Sequence, residues 1–265
     1  MSAVGAQAAD LLEEAARTGT AIAPLAGLLG DGDIPLAYRV QSIVTERRLA
    51  RGARIIGRKI GLTSEAVQRQ VGVDRPDFGV LFDDMRFEDG ALIPFGNLLQ
   101  PKAEAEVAFL LSSDIVETEQ TDAAAIRDSV ESAFAAIEVV DSRIADWRIG
   151  ITDTVADNAS SGVFVVAARG MTLGEFDPIE VTMTMTRGGE TVSHGTGADC
   201  LGDPLNALAW LARTAIEFGS PLRAGDLILS GALGPMVAVS PGDVFTAEIA
   251  PLGTVTARFS GKGEK

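Results

Sequence analysis

Residues 100–111, QPKAEAEVAFLL, contain two carboxylates two positions apart inside an apolar run. Successive side chains of a β-strand point to opposite faces of the sheet. The apolar face of this strand, which we expect to pack in the core, carries Ala103, Ala105, Val107 and Phe109. The opposite face carries Glu104 and Glu106, about 7 Å apart along the backbone. This second face is either a solvated surface, the commoner case in antiparallel sheets, or part of a metal site.

A third carboxylate lies in a comparable setting. Glu138, in FAAIEVVDSR, stands in a short apolar strand predicted over residues 137–140, where a charge is costly unless it is paired or bound to a metal. Together with Glu104 and Glu106 it forms a set of oxygen ligands of the kind that Mg²⁺ and Mn²⁺ prefer. Solvent-exposed glutamates on a sheet remain the alternative.

Lys59 is the candidate for a local positive charge. It lies in GRKIGLTS between Gly57 and Gly61, and glycine inside a strand indicates close approach by a ligand or by another backbone. A lysine on the protein surface is the alternative. Two turn-rich segments offer polar side chains for ligand contacts: PDFG, around Asp77, and VADNASSG, at residues 155–162.

The charge of the chain argues against several partners. Its 265 residues include 22 basic and 37 acidic side chains, which gives a formal net charge of −15. Nucleic acids and anionic membranes attract clustered Lys and Arg, so neither is expected as the main partner. An anionic substrate would need a local positive centre. No apolar run approaches the ~18 residues that span a bilayer, and the N-terminal segment lacks a basic signal-peptide region, so we expect a cytoplasmic protein.

The only cysteine, Cys200, and the only histidine, His194, give little support to other kinds of catalytic site. A single cysteine cannot build an internal disulfide framework, and we expect it to be a small buried core residue. The histidine, near the end of a predicted hairpin, is expected to be exposed and incidental. The chain therefore has too few suitable side chains to build a zinc site or a serine–histidine triad.

The chain divides into a small helical N-terminal region, residues 1–53, and a β-rich α+β domain, residues 54–265. Helices are predicted over residues 7–18, 35–51, 126–137 and 204–218. Loops are predicted at residues 19–34, 72–85 and 146–162. Residues 163–170 form a predicted strand, and an alternating pair of strands turns at residues 187–190. The segments GDLILSGAL and GDVFTAEIAPLGTVTARF also predict strands.

Ordered motifs make the chain similar to a known family. They are GRKIGLTS, GVDRPDFGVLFDDM, LQPKAEAEVAFLL, EVVDSRIADWRI, TVADNASSG, DPLNALAWLA and SGALGPMVAV. They resemble the 2-keto-4-pentenoate (2-hydroxypenta-2,4-dienoate) hydratases, which belong to the hydratase/decarboxylase branch of the fumarylacetoacetate hydrolase superfamily. The resemblance extends from residue 20 to the C-terminus. It implies an α+β fold, a fumarylacetoacetase C-terminal-like mixed β-roll with a small N-terminal helical region.

The resemblance also implies which residues form the site. The matching residues are Glu104, Glu106 and Glu138 for the metal, Lys59 and Asp77 for catalysis, and Lys59 with either Ser160 or Ser161 for substrate contact. The family's divalent metal is expected to be Mg²⁺ or Mn²⁺. The family also implies a homo-oligomer, either a ring of five subunits or a pair of such rings.

The implied activity is the addition of water to 2-hydroxypenta-2,4-dienoate, which gives 4-hydroxy-2-oxopentanoate in the catabolism of aromatic compounds or steroids. The substrate's carboxylate and 2-oxygen are expected to chelate the divalent ion. Lys59 is expected to steer the carboxylate or to move protons, and Asp77 to orient or deprotonate water.

Two groups of relatives are the nearest alternatives: the 2-oxo-3-hexenedioate (4-oxalocrotonate) decarboxylases and the hydratases of longer dienoates. The decarboxylase substrate has a second carboxylate, so its pocket should hold another cation or donor. Phe78, Leu81, Phe82 and the GALGPM loop, residues 231–236, are expected to line an apolar distal pocket, which favours the monoacid. The C–C bond hydrolases of the parent superfamily are expected to activate water with a histidine–glutamate dyad in an early segment. That activity is disfavoured here because no histidine precedes His194. A non-catalytic binding subunit is disfavoured because three partly buried carboxylates would serve no purpose in it.

Overall fold

The computed structural model describes residues 3–30, 32–73 and 75–263. The helices are α1 (Ala3–Thr18), α2 (Ala26–Leu29), α3 (Ile34–Ala50), α4 (Glu65–Val71), α5 (Ala123–Asp128), α6 (Ile151–Ala156) and α7 (Pro204–Glu217). The strands are β1 (Ile55–Gly61), β2 (Asp77–Phe82), β3 (Arg86–Phe87), β4 (Leu92–Ile93), β5 (Pro101–Leu111), β6 (Val130–Asp141), β7 (Ser161–Val166), β8 (Thr182–Arg187), β9 (Glu190–Thr196), β10 (Leu227–Ala232), β11 (Val237–Ala238), β12 (Val244–Ala250) and β13 (Gly253–Phe259). This mixture confirms the α+β prediction. Asp31 and Asp74, which fall in predicted loops, lie outside the described residues.

The strands form a larger and a smaller sheet. The order in the larger sheet is β2-β1-β10-β5-β6-β7-β3, with β11 also paired to β5, and the order in the smaller sheet is β4-β13-β12-β8-β9. β1 is parallel to β10 and antiparallel to β2, whereas β5 and β6 form a long antiparallel pair. The register of that pair places Glu104 directly opposite Glu138. The sheet is therefore mixed, and its centre carries two of the candidate metal ligands.

β5 is buried on both of its faces. The predicted apolar row packs in the main core, as expected: Ala103, Ala105, Val107 and Phe109. The face that carries Glu104 and Glu106 is covered by two smaller apolar clusters, one around Ala108 and one around Val140. Glu104 is only 4% exposed. This burial excludes the solvated-surface alternative for the two glutamates.

The N-terminal helices pack against the sheet region through α3. This helix begins after Asp33, whose side chain accepts a hydrogen bond from the Leu36 backbone N–H, and it has a proline in its first turn. The buried Gln41 amide donates hydrogen bonds to the carbonyl oxygens of Phe78 and Val155. These bonds hold α3 against both β2 and α6.

Several sequence predictions are confirmed. Helices occur in the predicted places as α1, α3 and α7, and the hairpin turn lies between Arg187 and Glu190. The division of the chain at residues 53 and 54 stays a prediction. Across the residues that the structure describes, no helix has the length and apolar character needed to cross a bilayer.

The helix predicted over residues 126–137 is wrong beyond its first turn. α5 ends at Asp128, and β6 begins at Val130. The two faces of β6 lie in separate apolar clusters, so its apolar residues run almost without interruption. Such a strand cannot be distinguished from a buried helix by periodicity alone.

All three predicted loops contain regular structure. Residues 19–34 include the short helix α2. Residues 72–85 include β2, which pairs with β1, and residues 146–162 include α6, a helix of 6 residues that is too short to give a clear periodic signal. Gly79 does not interrupt β2. A Cβ atom at this position would collide with the carbonyl oxygen of Asn158, so glycine is what allows the Asn158 turn to approach the strand.

Candidate active site

Three buried carboxylates meet on one face of the larger sheet. Glu104 and Glu106 come from β5 and Glu138 from β6, and one oxygen of each lies within 4.8 Å of the others. Alternation along β5 turns both of its glutamates to this face, and the strand register brings Glu138 beside Glu104. The sequence prediction that these three residues come together agrees with this geometry.

Burial shifts the proton equilibria of these carboxyl groups. It raises the pKa of Glu104 to about 8, and the neighbouring Glu138 adds to the rise. Burial and repulsion from Glu138 raise the pKa of Glu106 well above its ordinary value. The pKa of Glu138 is also raised by burial, although Lys59 opposes the shift. A cation among the three groups would favour their ionised forms.

The hydrogen bonds of the cluster leave oxygen atoms for a further partner. Glu106 Oε2 accepts a hydrogen bond of 2.7 Å from Gly231 N. Glu106 Oε1 and Glu104 Oε2 are buried and have no hydrogen-bond partner among the residues described. Buried carboxylate oxygens without partners are costly in a protein interior, and oxygen donors are what a hard divalent cation binds. The three residues therefore fit such an ion.

Lys59 is buried next to this cluster and is only 1% exposed. Its Nζ atom lies 3.3 Å from Glu138 Oε2 and donates a hydrogen bond of 2.9 Å to the carbonyl oxygen of Ala159. Burial alone would lower the pKa of Lys59, but the acidic neighbours, with Glu138 first, outweigh burial and raise it above its ordinary value. Lys59 is thus a buried cation, which excludes the surface-lysine alternative.

Asp77 faces the same cavity from β2. Its Oδ2 atom accepts a hydrogen bond of 2.6 Å from Thr154 Oγ1, while Oδ1 has no hydrogen-bond partner within the described part of the chain. A Cβ atom at Gly61, the residue opposite Asp77, would collide with Oδ1. Burial raises the pKa of Asp77 against the opposing effect of Lys59.

The two candidate serines differ in their surroundings. Ser160 lines the cavity, and its buried Oγ atom has no hydrogen-bond partner among the described residues. Ser161 Oγ instead lies 3.4 Å from Glu138 Oε1, within hydrogen-bonding distance. Ser160 therefore directs an unpartnered hydroxyl towards the cavity, whereas the hydroxyl of Ser161 lies beside Glu138.

The turn before these serines has an unusual backbone. Asn158, Ala159 and Ser160 have φ angles of 56°, 52° and 51°, in the left-handed region that non-glycine residues rarely adopt. The Asn158 side chain accepts a hydrogen bond from Val80 N and donates one to Val80 O, which ties the turn to β2. This turn presents both the carbonyl oxygen that binds Lys59 and the hydroxyl of Ser160.

A buried ion pair supports the same turn from behind. Arg143 donates to both a side-chain oxygen and the carbonyl oxygen of Asp157, and also to the carbonyl oxygens of Asp141 and Ser161. The Arg143 and Asp157 side chains are 12% and 2% exposed. The sequence analysis did not single out Arg143, because its partners become visible only when β6 and β7 are placed side by side.

The cavity wall includes apolar residues that sequence reasoning missed. They are Leu62, Val67, Val140, Trp147 and Ile149. The expectation that Phe78, Leu81 and Phe82 line a distal pocket is wrong: Phe78 stacks on Tyr38 in the main core, and the other two lie in the second apolar cluster. Of the GALGPM loop, Met236 lines the cavity, as expected.

The lone cysteine and histidine take no part in this site. Cys200 is buried, as predicted, and its thiol donates a hydrogen bond of 3.2 Å to the carbonyl oxygen of Ser230. Burial raises the pKa of this thiol to about 12. His194 is exposed on β9, also as predicted.

Fold and site together are typical of an enzyme that holds a hard divalent cation on carboxylates, beside a buried lysine and a buried aspartate. Comparison with known proteins identifies the group within that class. Residues 58–260 match the fumarylacetoacetate (FAA) hydrolase C-terminal model. The chain belongs to the fumarylacetoacetate hydrolase family.

Relatives with known names cover nearly the whole chain. It is 53% identical over 253 residues to a 2-keto-4-pentenoate hydratase of Paraburkholderia xenovorans (strain LB400), which covers 96% of this chain and 94% of the relative. It is 41% identical over 253 residues to a 2-hydroxyhexa-2,4-dienoate hydratase of Comamonas testosteroni, with 94% and 95% covered. These matches confirm the family resemblance found in the sequence.

Solved structures agree with this placement. A 4-oxalocrotonate decarboxylase from Pseudomonas putida G7, complexed with magnesium and adipate, superimposes with a TM-score of 0.89 at 33% identity and covers 96% of this chain and 97% of its own. A fumarylpyruvate hydrolase from Pseudomonas aeruginosa, in complex with Mn²⁺ and pyruvate, gives a TM-score of 0.62 at 15% identity, with 77% and 89% covered. The second structure shares the fold.

Proposed function

We propose that this chain is a hydro-lyase that adds water to 2-hydroxypenta-2,4-dienoate, the enol form of 2-keto-4-pentenoate, and produces 4-hydroxy-2-oxopentanoate. The observation that carries the proposal is the meeting of three buried carboxylates, with oxygen atoms that lack partners among the described residues, and one buried lysine cation on a single face of the sheet. The names of the relatives at 53% and 41% identity support the same reaction.

Glu104, Glu106 and Glu138 would hold the divalent cation, and Mg²⁺ or Mn²⁺ fits their oxygen-only donor set. When bound, the cation would act as a Lewis acid on the substrate's carboxylate and 2-oxygen. The structures of relatives solved with magnesium and with Mn²⁺ support this choice of ion.

Lys59 would bind the substrate's carboxylate as a fixed cation. Its Nζ atom lies 3.3 Å from Glu138 Oε2 and donates a hydrogen bond to the carbonyl oxygen of Ala159, so the group is held as a donor beside the proposed ion site. Of the two roles expected from the sequence, steering the carboxylate is therefore the one we assign. This positive charge, with that of the ion, would allow an acidic protein to bind an anion.

Asp77 is the proposed proton-transfer group. Thr154 holds Oδ2, and Oδ1 is left for water or substrate. In the first step the 2-hydroxyl loses its proton and C5 gains one, which gives an α,β-unsaturated 2-oxo acid. In the second step water adds its oxygen to C4 and C3 gains a proton. Asp77 would accept the proton that water loses, and the Ser160 hydroxyl would orient the substrate.

The decisive experiment compares two substrates on the same protein. After EDTA treatment the protein is given Mg²⁺ or Mn²⁺, and loss of ultraviolet absorbance is followed with 2-hydroxypenta-2,4-dienoate and with 2-oxo-3-hexenedioate. We expect metal-dependent hydration of the monoacid. Release of CO₂ from the diacid as the main turnover would identify a decarboxylase instead. No turnover of either acid with either metal would favour a non-catalytic binding subunit.

Two further expectations accompany this proposal. We propose that the protein acts in the cytoplasm and assembles as a homo-oligomer of five or ten subunits, as the family resemblance implies. Gel filtration with light scattering measures the number of subunits, and a monomer would contradict the second expectation.

A further inference from the structure

The lining of the active-site cavity includes a set of apolar side chains, the apolar wall. Its residues are Leu62, Val67, Val140, Trp147, Ile149 and Met236. They come from the segment after β1, from α4, from β6, from the residues between β6 and α6, and from the loop after β10. The cavity is also lined by polar residues, including Lys59 and Asp77.

The position of this wall follows from the pairing of β5 with β6. Glu104 faces Glu138, and the next pair on the same face, two residues along each strand, is Lys102 with Val140. Val140 is therefore about 7 Å along the strand from the carboxylates. A substrate held at its carboxylate end has three more carbons, which span about 4 Å. If it extends along β6 towards Val140, its unsaturated end comes within reach of the apolar wall.

The wall offers no charge to a second carboxylate. Among the described residues that line the cavity, Lys59 supplies the cation, and it lies beside Glu138 at the carboxylate end. The nearby Lys102 ammonium is placed over the Trp147 ring, 4.1 Å from its centroid. Burying an unpaired carboxylate against such a wall is costly, so an uncharged tail is favoured.

Trp147 is held firmly in its place. Its indole N–H donates a hydrogen bond of 3.0 Å to the carbonyl oxygen of Gln100. The Gln100 side chain in turn donates to the carbonyl oxygens of Ser142 and Ile144 and accepts from Asp146 N. Trp147, fixed in this way, cannot move aside easily for a longer chain.

We propose that Val140, Met236 and Trp147 form a tail site that sets the length of the substrate, accepting a short uncharged tail and discriminating against each added carbon. The proposal rests on the function proposed above. Val140 and Met236 are the residues whose shortening would make room, because they are aliphatic and line the cavity directly. A single methylene in an apolar pocket changes selectivity by roughly 10- to 200-fold.

The test is Val140→Ala, with Val73→Ala as the matched control. Val73 belongs to the same apolar cluster as Val140 but does not line the cavity, so it carries the same loss of buried volume without the proposed role. The measured quantity is the ratio of kcat/KM for 2-hydroxyhexa-2,4-dienoate to that for 2-hydroxypenta-2,4-dienoate. We expect Val140→Ala to raise this ratio about tenfold or more and Val73→Ala to leave it unchanged.

Binding provides a readout that does not depend on turnover. In the metal-loaded protein, calorimetry with 2-oxopentanoate and 2-oxohexanoate should show the same shift towards the longer acid in Val140→Ala. Met236→Ala is the second variant, should Val140→Ala fail to fold. Equal ratios in the Val140, Met236 and Val73 variants would overturn the tail site. Failure of the unsubstituted protein to hydrate either dienoate would instead overturn the proposed function.

Discussion

Lys59 Nζ lies 3.3 Å from Glu138 Oε2, and both side chains are buried in the interior of the protein. The lysine comes from β1 and the glutamate from β6, with β10 and β5 between them in the sheet. Because two strands separate β1 from β6, this buried ion pair forms only when all four strands at the centre of the sheet are in place. The pair therefore joins the proposed carboxylate-binding cation to the proposed metal ligands.

Lys59→Met tests the assignment of Lys59 to substrate binding. We expect kcat/KM to fall by roughly 10- to 100-fold, the effect of losing one hydrogen bond to a charged group, because the substrate's carboxylate loses its cation. Metal affinity should be kept or increased, since a positive charge beside the ligands is removed. Steady-state kinetics and Mn²⁺ titration measure the two effects. Lys262→Met, at an exposed lysine, is the control, and unchanged turnover in Lys59→Met would contradict the assignment.

Glu106→Gln tests the metal site. The substitution keeps the shape of the side chain but removes a charged oxygen ligand, so we expect metal-dependent activity to be lost while the circular dichroism spectrum is retained. Glu131→Gln is the matched control, because Glu131 is an exposed glutamate on β6. If the Glu106 variant bound Mn²⁺ as tightly as the unsubstituted protein does, Glu106 would not be a metal ligand.

Ser160→Ala and Ser161→Ala should have different effects. Ser160 Oγ lines the cavity, so its loss should lower kcat/KM and leave metal affinity unchanged. Ser161 Oγ lies beside Glu138 Oε1, so its loss should weaken metal binding by about 10-fold or more, as the loss of ligand-orienting groups does. Metal titration alongside kinetics separates the two variants. The reverse pattern would exchange the two roles.

Arg143→Gln should destabilise the fold. It removes one partner of a buried ion pair and several hydrogen bonds to carbonyl oxygens, at an expected cost of about 3–5 kcal/mol in the free energy of unfolding. Arg17→Gln breaks an exposed ion pair with Glu14 and should leave stability unchanged. Urea unfolding measures both variants, and equal stabilities would show that the Arg143 pair contributes little.

Cys200 should resist alkylation over a wide range of pH. The thiolate is the reactive form, and burial raises the pKa of this thiol to about 12 in the folded protein. Between pH 7 and pH 9 the folded protein should therefore react slowly with iodoacetamide. In guanidinium chloride the rate should be higher and should rise with pH as a thiol of ordinary pKa ionises. Equally fast labelling of folded and unfolded protein would show that Cys200 is accessible.

The strand that carries Glu104 and Glu106 could be predicted from the sequence because it alternates. Period-2 spacing fixes which residues share a face, and Ala103 and Val107 lie in the main core as expected. Whether the face that carries the glutamates is buried or exposed could not be predicted, because nothing in the strand itself indicates that other segments cover it. The polar residues of the site were found through their chemical types and the family motifs.

The apolar part of the site was harder to find. Val140 and Trp147 look like ordinary core residues in the sequence, and Phe78 was expected in the cavity but packs against Tyr38 instead. Apolar residues give the same signal in a core as in a ligand cavity. Their assignment requires the packing of distant segments, which neither periodicity nor composition specifies.

The three carboxylates lie on paired strands, whereas most of the apolar wall lies on connecting segments. A shift of one residue in the pairing of β5 with β6 would turn the glutamates to the other face. The metal site therefore requires this strand register. Most of the wall, including Leu62, Trp147 and Met236, comes from connecting segments. Insertions and substitutions in such segments are tolerated far more readily. Related chains can therefore evolve to accept a different substrate while they keep the same reaction.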